Sequence, residues 1–235
     1  MKNILFTLLF VSLSFGLFAQ IGITGAYSSI KTAGWEDVLN NEGSMTYNSA
    51  GYTVGLEYWF RLPDFRVEFL PEISYGTFDN KFIGRTLEAN TMESELSIIA
   101  FAFNTQIYIF DMEGDCNCPT WGKDGSFFNK GFHLMAGPGI SYIQHTSNIA
   151  FDGTANEVEE NNLRLLLSAG VGFDIGITKA LTVTVFGRYK WHQSKAFEGL
   201  ERLVELSPQE IIYENYDSVI TQFEPGLKLS YRWGE

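Results

Sequence analysis

The sequence predicts an all-β protein, an antiparallel up-and-down transmembrane β-barrel of about eight strands that follows an N-terminal signal peptide. Three observations predict it. Apolar and polar residues alternate with period two along almost the whole chain after residue 19, the pattern of strands whose successive side chains face opposite sides. The alternate face carries charges of both signs rather than one. The first twenty residues read as a secretory leader.

The leader comes first. Lys2 supplies a charged start, residues 4–18 are an apolar run broken only by Thr and Ser, and Ala19 offers a small residue before Gln20. That run is shorter than the ~20 residues a spanning helix needs. No Cys stands beside the cleavage point, which argues against a lipoprotein anchor. Residues 1–19 are therefore expected to be the signal peptide and residues 20–235 one barrel domain. No later stretch approaches ~18 uninterrupted apolar residues, so helical spanning of the mature chain is not expected.

The chain has 235 residues and a net charge of −12, one unit more negative once Lys2 leaves with the leader. That balance excludes a nucleic-acid partner, which asks for basic stripes. The 20 Phe, 11 Tyr and 23 Gly suit twisted β-structure with close strand contacts.

Strand by strand, the alternation predicts segments at 20–30, 50–60, 65–78, 93–110, 131–146, 162–179, 181–193 and 219–233. Pro71 cannot donate a ladder bond, so a bulge or local break is expected in the third segment. Residues 31–49, 79–92, 147–161 and 194–218 read as long polar connections after the odd-numbered strands, with short turns after the second and sixth. Long loops on the outside and short turns on the periplasmic side are a property of outer-membrane barrels. The connection at 111–130 is long where a periplasmic turn is expected and is the worst fit to that rule.

The eighth segment states the pattern most plainly: Leu227, Leu229, Tyr231 and Trp233 face one way, Gly226, Lys228, Ser230 and Arg232 the other. Collected over all strands, the second face holds Glu57, Glu68, Glu72, Arg164, Asp174, Arg188, Lys190, Lys228 and Arg232. Isolated charges in an apolar lumen are costly, by several kcal/mol per ion. Here acids on strands two and three meet bases on strands seven and eight once the barrel closes, which predicts a paired, watery interior. The opposite face is greasy on every strand and is read as the lipid band, with Tyr58, Phe60, Trp191, Tyr231 and Trp233 as girdle residues. The competing arrangement, a soluble sandwich that buries the greasy face, is disfavoured by the leader and the charged second face.

Leader, eight alternating segments and terminal Gly226–Trp233 together resemble a small outer-membrane β-barrel of the OmpA-transmembrane or OmpX type. The likeness is strongest to the outer-membrane β-barrel domain proteins common in Bacteroidota, whose leaders also often end in Ala-Gln. The resemblance implies residence in the outer membrane of a Gram-negative-type bacterium, contact with its lipids, and recognition by the barrel-assembly machinery through Gly226, Leu229, Tyr231 and Trp233. Two residues, Gly234 and Glu235, follow the last aromatic and depart from that assembly pattern.

Few residues suggest chemistry. Cys116 and Cys118 stand in the 111–130 loop, read as periplasmic. One intervening residue makes a disulfide between them strained, and two thiolates are too few for a structural zinc, so the pair is read as oxidised or idle. The only histidines are His133, His145 and His192. His145 and His192 fall near the outer strand ends, with Ser141, Ser147 and Ser194 nearby, but no nucleophile motif surrounds them. Asp152, Glu157, Glu159 and Glu160 read as solvated loop acids. No metal, no cofactor and no enzymatic activity are expected. The expected role is structural or interactive, through the outer loops and an envelope protein partner. The alternatives are a narrow transport pore and a lipid-modifying barrel enzyme.

Overall fold

In the computed structural model of the chain, the described residues are 20–32, 49–61, 66–83, 91–110, 131–151, 154–178, 180–195, 198 and 218–232. The leader, the loop that carries Cys116 and Cys118, and Trp233 lie outside them.

Eight strands form one closed antiparallel barrel in sequence order: β1 (Gln20–Lys31), β2 (Ser49–Arg61), β3 (Val67–Ile83), β4 (Thr91–Ile107), β5 (Phe132–Phe151), β6 (Thr154–Gly176), β7 (Leu181–Lys195) and β8 (Ser218–Arg232). β8 closes on β1, with Lys228 opposite Thr24. The strand pairs are staggered. From Gly22, partners run through Glu57, Glu72, Ala102, Gly139, Leu166 and His192 to Ile220. Ile220 lies one residue beyond the Lys31–Thr221 pair, at the far end of β1 from Gly22. A barrel of eight strands closed in this way has an interior just wide enough for side chains to fill.

Two expected connections are corrected. Residues 147–161 are not a loop. β5 runs to Phe151 and β6 starts at Thr154, and the two pair without interruption from Phe132–Phe173 to Phe151–Thr154. The acidic composition hid the strands because Glu159 and Glu160 fall on opposite faces and blur the alternation. β3 and β4 likewise extend into 79–92, pairing as far as Ile83–Thr91, while β4 ends at Ile107 rather than 110. Of the bulge or local break expected at Pro71, the local break is the one that forms: β3 keeps one register with β4 through the Pro71–Phe103 pair. Its pairing with β2 lapses locally, between Glu57–Glu72 and Phe60–Phe69. The missing N–H breaks a ladder bond without shifting the register. The register shift in the barrel's seam is elsewhere, between His192 and Lys195.

The outward face is apolar and banded. Tyr52, Val54, Leu56, Tyr58 and Phe60 are all exposed on β2. Eight residues separate Tyr52 from Phe60, about 27 Å at ~3.4 Å per residue, or about 20 Å along the normal at a tilt near 40°. Aromatics bound the band at both ends. Tyr27, Tyr52, Tyr75, Tyr142 and Trp191 are exposed at one end, with the Tyr27 and Tyr52 rings edge to face at 6.0 Å. At the other, Phe60, Phe69 and Phe103 stack within 5.3–6.2 Å of one another. Apolar outside, charged inside and aromatic at both rims is the arrangement of a barrel set in lipid.

Above the tyrosine rim the barrel is lopsided. β3 to β6 continue as a tall wall: nine residues separate Tyr142 from Phe151, about 30 Å of strand at ~3.4 Å per residue. β7 pairs with β6 only from Leu166 downward.

Candidate functional site: a filled, charged lumen

Inward-facing side chains fill the barrel, and its middle is ionic. Arg188, on β7, holds two carboxylates. Its NH1 and NH2 donate to Glu72 of β3, the second bond at 2.7 Å, and its Nε donates to Glu224 of β8 at 2.5 Å. Such a bidentate fork suits the planar guanidinium. Lys190, two residues along, reaches the same Glu224 at 3.1 Å and the Ser74 hydroxyl at 3.4 Å. Arg188, Lys190, Glu72 and Glu224 are each no more than 2 % exposed. Neutral groups take up the spare lone pairs: Gln222 donates to Glu224 at 2.7 Å and Asn104 to Glu72 at 3.0 Å, while Ser168 donates to Asn104 at 2.6 Å.

A second pair lies nearer the strand termini. Lys228 Nζ stands 3.2 Å from Glu57 Oε2. Among the described residues that oxygen makes no hydrogen bond of good geometry, so the contact is chiefly Coulombic. Below it, the Tyr108 hydroxyl lies 2.5 Å from Asp174 and 3.1 Å from Glu68. Trp59 Nε1 donates to Glu68, and Thr184 donates to Asp174, each at 2.5 Å. Arg66 covers the Tyr108 ring at 3.9 Å and Arg232 covers Trp59 at 5.4 Å.

Eight of the nine lumen residues read from the sequence thus line the middle and terminal half. Arg164 stands apart, half-buried toward the opposite end, where it donates to Asn162 of its own strand at 3.3 Å. Glu224, the acid shared by Arg188 and Lys190, was not among the expected residues. Its signal was present: it is in phase with Lys228 on β8. The hydroxyls and amides that complete the network carry no such signal. The contact between Gln222 and Ser28, at 3.3 Å, spans 194 residues of sequence.

Toward the tyrosine rim the lumen turns apolar. Ile30, Phe78, Leu96, Ile98, Ile143 and Ile220 face inward at 0–3 % exposure, and register sets Ile98 opposite Ile143 and Phe78 opposite Leu96. The watery interior expected from the sequence is a packed one. His192 sits beneath this layer, between Ser141 at 2.9 Å and Gln222 at 3.2 Å. His145 sits above it, 2.5 Å from Ser94. Among the described residues, no group of three or more His, Cys, Asp or Glu is arranged to hold a metal. Of the terminal segment, Leu229 and Tyr231 face outward and are exposed, while Gly226 faces inward beneath Phe186.

No protein-family model matches the sequence, and no curated protein matches it. Solved structures that are similar include Ail, the attachment invasion locus protein of Yersinia pestis, at 11% identity and a TM-score of 0.45, covering 91% of this chain and 98% of that one. Neisserial surface protein A matches at 9% identity and a TM-score of 0.41, covering 92% and 97%. The N-terminal β-barrel domain of Pseudomonas aeruginosa OprF matches at 10% identity and a TM-score of 0.38, covering 90% and 97%. At these identities the likeness is one of architecture, and the roles of those proteins stay with them.

Proposed function

We propose that the chain is an integral outer-membrane barrel that conducts nothing through its lumen and serves as a rigid platform for interaction on the outer side. One observation carries this reading: the face turned outward is an aromatic-bounded apolar band, while the lumen is filled by paired charges and an apolar layer. Lipid solvates the first, and the second leaves no continuous water path. The tall wall of β3 to β6 supports the interaction role, because its outward face is polar beyond the tyrosine rim. Register sets Asp79, Glu95, Thr146 and Glu159 side by side in one row. Outer-membrane lipids, the barrel-assembly machinery and an envelope or extracellular protein are the partners this reading implies. In this reading the strand ends at Gln20 and Arg232 lie on the periplasmic side, as in barrels of this kind.

Orientation is testable in whole cells. Asn148→Cys, on the wall, should react with a membrane-impermeant maleimide in intact cells. Labelling only after the outer membrane is breached would reverse the orientation or remove the outer-membrane location. Pull-down from detergent-solubilised membranes, with and without residues 111–130, asks separately whether that loop recruits a partner.

A further inference from the structure

We propose that Ser94, His145 and Glu160 form a nucleophilic site that hydrolyses carboxylic esters entering the barrel from the mouth opposite the termini. The three residues come from three adjacent strands of the tall wall, β4, β5 and β6, and all face inward above the tyrosine rim. Ser94 Oγ lies 2.5 Å from Nε2 of His145, the hydrogen bond that lets an imidazole take a hydroxyl proton. Glu160 is the direct partner of His145 across β5 and β6. Facing residues of an antiparallel pair have Cβ atoms about 4.5–5.5 Å apart, within reach of a glutamate carboxyl. With Nε2 on the serine, Nδ1 is the ring atom on which a carboxylate acts to hold the tautomer and stabilise the imidazolium.

A second, independent observation points to a ligand at the same place. Ser147 stands directly across from Ser94 in the β4–β5 register. It is 1 % exposed, and among the described residues its hydroxyl has no hydrogen-bond partner. A buried hydroxyl left unsatisfied costs about 1–3 kcal/mol. Beside a nucleophile it is placed to donate to the oxygen of an attacked carbonyl.

The other serine–histidine contact in the lumen lacks these features. His192 bonds Ser141 through Nδ1, and its Nε2 meets the amide oxygen of Gln222 rather than a carboxylate. An amide cannot offset the charge of an imidazolium, so this trio is a strut and serves as an internal control.

In the proposed step, Ser94 Oγ adds to the ester carbonyl carbon while its proton passes to His145 Nε2. Ser147 donates to the oxyanion. The intermediate expels the alkoxide, which takes the proton from His145 and leaves as the alcohol. Water then adds to the acyl-Ser94, giving a proton to His145. Collapse releases the carboxylic acid and returns that proton to Ser94.

The test uses the full mature barrel, folded in detergent. A fluorophosphonate probe is expected to label Ser94, located by mass spectrometry of peptides. Hydrolysis of p-nitrophenyl acetate should fall about 100-fold or more in Ser94→Ala and His145→Gln, the scale of a lost nucleophile or base. It should be unchanged in Ser141→Ala. Wild-type barrel that is folded by heat-modifiable migration yet unlabelled at Ser94 would overturn the proposal, and that result needs no variant to assemble. Undiminished hydrolysis by Ser94→Ala would do the same.

Discussion

Arg188 shows what a buried charge needs in this barrel. It touches Glu72 and Glu224 at once, and Lys190 shares the second acid, so no member can be removed without leaving another charge buried and underpaired. Lys228 and Glu57 offer the simpler experiment, because among the described residues neither shares its 3.2 Å ion pair with a third charge within ion-pair distance. Breaking a buried pair from one side costs about 3–5 kcal/mol, whereas replacing both partners by apolar residues of like volume is often neutral or stabilising. Glu57→Leu should therefore destabilise the barrel by about 3–5 kcal/mol. Glu57→Leu with Lys228→Met should recover most of that loss. Urea unfolding in lipid vesicles measures both. A double variant as weak as the single would show that the pair contributes more than its own neutralisation.

At the scale of the element, strand faces set the tolerances. Gly226 faces inward, and a Cβ there would lie 2.6 Å from Phe186 Cζ and 2.7 Å from the carbonyl oxygen of Gly25. The aromatic ring lies where that side chain would be, so adding even a methyl overpacks the site. Gly226→Ala should cost about 1–3 kcal/mol. Gly25 faces outward with nothing within 4 Å of its Cβ position, and Gly25→Ala should change stability by less than about 0.5 kcal/mol. Equal effects of the two would contradict the assigned faces. Tyr231, exposed on β8, belongs to the terminal aromatic pattern, and Tyr231→Ser together with Trp233→Ser should lower the yield of heat-modifiable barrel in membranes.

For the whole molecule, the lumen decides transport. On the proposed reading, charges that neutralise one another in the middle and an apolar layer above them leave no wetted path. The barrel reconstituted in planar bilayers should show no steady open-channel current. A sustained current would favour the narrow pore and remove the closed-platform reading. Brominated lipid should quench the fluorescence of the band residue Trp191, exposed at the rim, more than that of Trp59, which lies inside against Glu68.

Much of this was legible in the residues. Period-two alternation determines which side chains share a face, because the pleat leaves no other option; it placed Glu57, Glu72, Arg188, Lys190 and Lys228 together on the inner face. It determined the strand number as well. It failed at residues 147–161, where the acids Glu159 and Glu160 fall on opposite faces and blur the alternation, so only the ladder between β5 and β6 revealed the hairpin. Pairing was beyond it for a different reason. Which acid meets which base depends on the stagger of eight strands, and stagger is a property of closure, not of any one strand. Register between neighbouring strands sets Glu224 opposite Arg188 and brings Ser94 beside His145 across 51 residues of chain, while closure carries Arg188 across the lumen to Glu72 of β3.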